Sequence, residues 1–189
     1  MPISLNYPEL KGFNFQGGIS IIPELAALLF VVFASAVPPY LMQSDDNPDG
    51  PLTKDAAQDF EDNLMADRDA FFDGFTKDFF SADGSLKVSE EERQKALDLC
   101  KQSRPDAALG CMKAWATTDF REDLKKITVP TLVLHGTADG IVPIKGSGHR
   151  THKMVSHSHL CEIEGAPHGC NTSHVQEFNA GLLDFLGKH

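Results

Sequence analysis

The sequence is short of positive charge. Its 17 Lys and Arg stand against 27 Asp and Glu, a formal net charge of −10. Such a balance repels phosphate backbones and anionic lipid, and so argues against nucleic acid or a membrane surface as a partner. A neutral or weakly polar small molecule fits better. Cysteine is also scarce. Cys100, Cys111, Cys161 and Cys170 contain no CxxC pair, and four in 189 residues are too few for a disulfide framework. Reduced thiols in a cytoplasmic protein are expected. A bilayer span takes about 20 apolar residues, and the uncharged run Leu25 to Val37 has 13. That run could be a signal-peptide core ending at Ala34-Ser35-Ala36, but Lys11 is the one cationic side chain before it, against Glu9 and Glu24. A buried strand is the preferred reading. There is no internal repeat and no low-complexity tract.

What is present alternates between strand and helix patterns. Positions 1–24 are broken by Pro2, Pro8, Gly12, Gly17, Gly18 and Pro23. The apolar run Leu28 to Val37 ends at Pro38-Pro39 and reads as a buried parallel strand. Asp45 to Pro51 is a loop by its turn residues. From Thr53, a plausible N-cap, to Phe80 the pattern is helical, with Phe60 and Leu64, then Phe71, Phe75 and Phe79, at four-residue spacing. Ser89 and Glu92 make a capping box for the next helix, which Pro105 should end. Another helix covers Ala107 to Ala116, so the central block is expected to be all-helical. Short strands follow at Val129 to Leu134 and Leu160 to Ile163. The last helix would start with a Ser173–Gln176 box and present Val175, Phe178, Leu182, Leu183 and Leu186 on one face. This order is α/β with a helical insertion.

Two loops follow the late strands: His135-Gly136-Thr137-Ala138-Asp139 and Glu164-Gly165-Ala166-Pro167-His168-Gly169. Active sites of open α/β sheets gather at the carboxyl ends of strands, so a carboxylate on one such loop can meet a histidine on the next. The acid would fix the imidazole tautomer and leave the other ring nitrogen to take a proton from a nucleophile. Asp139 before His168 is the order of the last two members of a Ser–Asp–His set.

The stretch TDFREDLKKITVPTLVLHGTADGIVPIKGSGHRTHKM, with EIEGAPHG, EFNAGLLDFL and the upstream SAVPPYLMQSDDNPDGPL, closely resembles the cofactor-free haloperoxidase and arylesterase (perhydrolase) group of α/β-hydrolases. The resemblance runs from about Ala34 to the C-terminus. It implies a partial α/β-hydrolase core of a few parallel strands flanked by helices: a core remnant at 1–38, a helical cap at 39–118 and the C-terminal core at 119–189. It implies Asp139 as the triad acid, His168 as the base, small esters or carboxylic acids as substrates, and no metal, haem or other cofactor.

The sequence departs from that pattern at the nucleophile. The only candidate for the G-x-S-x-G elbow is Gly12 to Gly18, where Asn14 takes the serine position and Gln16 the second glycine position. An amide has no proton that a histidine can usefully remove. Ser20 and Ser35 lack an elbow around them. Cys170 lies near His168, but its neighbours supply no oxyanion hole. The early strands and oxyanion-hole loop of the family are also missing, so the chain reads as N-terminally truncated, with impaired or no activity. A sheet of about three strands would expose an edge through which copies could pair. The rival readings are a non-catalytic binding protein on a hydrolase remnant and a secreted metal binder. The latter rests on the Ala34-Ser35-Ala36 site and on His149, His152, His157 and His159, a cluster that a solvated helix and loop surface explains more simply.

Overall fold

The computed structural model describes residues 29–189. Strand β1 (Val31–Ala34) precedes helices α1 (Lys54–Ala66), α2 (Arg68–Phe80), α3 (Glu90–Lys101) and α4 (Pro105–Thr117). A hairpin, β2 (Ser81–Ala82) and β3 (Ser85–Leu86), separates α2 from α3. After α5 (Arg121–Leu124) come β4 (Thr131–Gly136), α6 (Gly148–Met154), β5 (His159–Ile163), α7 (Cys170–Ser173) and α8 (Val175–Leu186). The expected elbow with Asn14, and Ser20, lie outside the described residues.

The three longer strands form a parallel sheet in the order β1-β4-β5, with Val32 beside Leu132 and Leu132 beside His159. Every residue of the central β4 is buried. Its side chains alternate between two covered faces. Leu132 and Leu134 join Ile163, Ala166 and Phe185 in one core cluster, which Phe178, Leu182 and Leu186 of α8 cover. His135 points to the other face, where its ring lies against Gly148 at the start of α6. Burial on both faces is why the sequence here is a continuous apolar run rather than an alternating one.

Several expectations need correction. β1 is shorter than Leu28 to Val37 and only half-buried, because among the described residues it sits at a sheet edge. The Thr53-to-Phe80 pattern is two helices. Asp67 is extended (φ −149°, ψ 92°), and its backbone N–H closes α1 while its side chain caps α2. Thr53 does cap α1, and the Ser89–Glu92 capping box is formed in full. Pro105 opens α4 rather than ending α3, since a residue without N–H fits the first turn of a helix. The central block is not all-helical: the β2–β3 hairpin turns through Asp83 and Gly84, both with positive φ. The Ser173–Gln176 box is absent. Ser173 belongs to α7 and donates its hydroxyl to Gly169 O. Leu183 and Val175 of α8 are exposed, and the core-facing stripe is the buried Phe185 with the partly buried Phe178, Leu182 and Leu186. One residue step turns a helix by about 100°, which carries Leu183 off the face that holds Leu182. No helix among the described residues is long and apolar enough to cross a membrane.

Candidate active site

Asp139 and His168 stand on the loops that follow β4 and β5. The loops are tied to each other. Thr137 N–H donates to Ile163 O at 3.0 Å, Ala138 N–H to Ala166 O at 3.1 Å, and Gly165 N–H to the Thr137 hydroxyl at 2.8 Å. Parallel pairing brings both strand ends to one edge, and these bonds fix the loops there. His168 Nδ1 lies 2.8 Å from Asp139 Oδ2. Asp139 Oδ1 accepts the N–H groups of Ile141 at 2.9 Å and Val142 at 2.8 Å.

The Asp139 carboxylate is fully buried, while the His168 side chain keeps 18% of its surface exposed. Burial pushes the Asp139 carboxyl up. Hydrogen bonds from His135 and His168, the His168 charge and the Val142 N–H outweigh it and hold the group below the usual aspartate range. An ionised acceptor on Nδ1–H selects that tautomer and leaves Nε2 for proton transfer.

Two contacts were missed by sequence reasoning. His135 Nε2 lies 3.1 Å from Asp139 Oδ2. The available signal was a polar side chain closing an otherwise apolar strand. Phe79 packs edge-on against the His168 ring, at 4.7 Å between centroids. It ends a ladder of Phe71, Phe75 and Phe79 along one side of α2, with successive centroids 6.1 and 5.7 Å apart. Gly169 allows this docking. Its N–H donates to Phe79 O at 2.9 Å, and a Cβ there would meet the Phe80 ring at 2.5 Å. A cavity of about 1340 Å³ opens beside the ladder, walled by Phe60, Phe71, Phe75, Trp115, Ile141 and His168 among others.

The other candidates do not join the pair. Ser35 falls just past β1 rather than within a strand, with φ 46°, and its hydroxyl lies 3.4 Å from Cys170 Sγ. Both residues are buried. Burial pushes the Cys170 thiol up; the Ser35 hydrogen bond opposes that and the Asp139 charge reinforces it. A thiol that stays protonated is a poor nucleophile. The four clustered histidines diverge. His149 pairs with Glu162 at 2.9 Å, His152 with the Ser158 hydroxyl at 2.8 Å, and His157 with Val129 O at 3.0 Å, while His159 packs on Phe185. Among the described residues, no group of three His, Cys, Asp or Glu side chains is placed to hold a metal ion.

No family model matches the chain. A putative non-heme chloroperoxidase of Synechocystis sp. is 36% identical over 157 residues, covering 82% of this chain and 56% of the relative. A bifunctional esterase/perhydrolase of Acinetobacter calcoaceticus is 36% identical over 166 residues, with 82% and 56% covered. Among solved structures, a bromoperoxidase from Bacillus anthracis matches at a TM-score of 0.82 and 45% identity, over 84% of this chain and 58% of that chain. The chain thus spans little more than half the length of the relatives it matches. Its homologues are non-heme haloperoxidases and esterases of the α/β-hydrolase superfamily, and its parallel sheet flanked by helices is the fold they share.

Proposed function

We propose that Asp139 and His168 are the acid and base of a carboxylic-ester hydrolase site of the haloperoxidase and esterase type. The 2.8 Å contact between His168 Nδ1 and Asp139 Oδ2 carries this reading. Asp139 orients the ring. His168 Nε2 takes the proton of an attacking serine hydroxyl and gives it to the leaving alcohol. The acyl group then passes to water, or to peroxide with formation of a peracid. The relatives named as esterase/perhydrolase and chloroperoxidase support both outcomes. The aromatic cavity wall and the net charge of −10 favour a small, uncharged, hydrophobic ester.

The serine is the missing part. Asn14 occupies the position where the elbow pattern needs it. Among the described residues, the hydrogen bond of the His168 ring goes to Asp139 and to no hydroxyl or thiol. This chain by itself is therefore expected to show little or no turnover. Hydrolysis of p-nitrophenyl acetate by the purified chain should stay at the buffer background, and a fluorophosphonate probe should not label it stoichiometrically. One probe per chain would overturn the absence of a nucleophile, and peptide mapping would name the residue.

A further inference from the structure

His135 is the most deeply buried polar side chain touching the pair. Its ring is fully buried; the hydrogen bond at Nε2 goes to Val142 O at 2.8 Å, and Asp139 Oδ2 lies 3.1 Å from the same nitrogen as a second acceptor. Two acceptors around one nitrogen require the proton on that nitrogen. Nδ1 is then a bare acceptor, and it has no hydrogen-bond partner among the described residues. A buried acceptor left unmet costs stability, and an apolar side chain of similar size would not carry that cost. The slot is shaped for the ring all the same: a Cβ at Gly148 would come within 2.9 Å of Nδ1. What an apolar side chain could not supply is the donor at Nε2.

We propose that His135 is a positioning residue, whose Nε2–H is shared between Val142 O and Asp139 Oδ2 and holds that carboxylate oxygen in line with the Nδ1–H of His168. The carboxylate then has a donor for each lone-pair site, two backbone N–H groups on Oδ1 and two imidazoles on Oδ2, and cannot rotate. The direction of the Asp139 shift agrees, since the His135 hydrogen bond contributes to lowering it. The other titratable group that feels this carboxylate is Cys170, at the start of α7, whose own hydrogen bond goes to Ser35. The inference rests on Asp139 and His168 being the acid–base pair.

Long-range ¹H–¹⁵N spectra of the intact, unmutated chain read the tautomer of each imidazole. The expected result is His135 protonated on Nε2 and His168 on Nδ1. His135 protonated on Nδ1 alone would overturn the proposal, because Nε2 would have nothing to donate. Two variants separate positioning from packing. His135→Gln can place an amide N–H where Nε2–H was, and His135→Leu cannot. In His135→Leu, exchange of the His168 Nδ1–H with water should quicken about ten-fold or more, the worth of one hydrogen bond to a charged group. The Asp139 carboxyl titration should also move to higher pH. His135→Gln should change neither. Equal changes in both variants, or none in either, would make the ring a packing element and overturn the proposal. The tautomer measurement needs no variant, so an unfolded His135→Leu still leaves it able to overturn the proposal. Failure of the acid–base reading itself would show differently, as loss of the His168–Asp139 hydrogen bond in the unmutated chain.

Discussion

Asp139 is buried between two imidazoles and held ionised by the hydrogen bonds it accepts. Its folded-state pKa lies below the ordinary value, so the ionised form adds stability above the ordinary aspartate range near pH 4. That contribution is lost as pH falls through the folded value. Thermal unfolding followed by circular dichroism should therefore show the unmutated chain losing an increment at low pH that Asp139→Asn does not lose. At pH 6 the variant should be weaker by about 1–3 kcal/mol, and the two curves should approach each other in acid. Curves that stay parallel would contradict this. The meeting of Asp139 and His168 was readable in the sequence because each follows a short strand, and parallel strands deliver their ends to one edge. His135 was not, because a histidine closing an apolar run looks like the end of the run. Its contacts depend on how the turn after β4 brings Asp139 and Val142 O back to the ring.

At the scale of the elements, α8 and α2 are where packing decides. Leu134 is fully buried under α8, whereas Leu183 of α8 is 66% exposed. Urea unfolding should show Leu134→Ala costing about 2–5 kcal/mol and Leu183→Ala within about 0.5 kcal/mol of the unmutated chain. Similar losses for the two would contradict the assigned face of α8. Gly169→Ala should cost about 1–3 kcal/mol by driving a methyl group into the Phe80 ring. It should also raise amide exchange in the last turn of α2, whose Phe79 carbonyl accepts the Gly169 N–H. Helix starts with capping side chains, Thr53 and Ser89, were legible because the cap is a local contact. The break at Asp67 was missed because the apolar spacing continues across it. The hairpin after α2 was missed because strands of two residues carry no periodicity.

For the whole molecule, strand, helices, strand, helix, strand, helix was legible as α/β order, and the sheet follows it. Which strand is central was not, since β4 and β1 have similar apolar runs and their neighbours are set by distant pairing. The chain spans 56% of two relatives and 58% of a third, and within that span it brings an acid and a histidine to one cavity. The central claim is that Asp139 and His168 act as acid and base once a nucleophilic serine and an oxyanion hole are supplied. Fusing residues 29–189 to the part of the Bacillus anthracis relative outside the match tests it most directly. The chimera should hydrolyse p-nitrophenyl acetate, and His168→Ala should lower that rate by at least about 10²-fold, the usual worth of a general base. A folded chimera that is inactive, or whose turnover is indifferent to His168→Ala, would contradict the account.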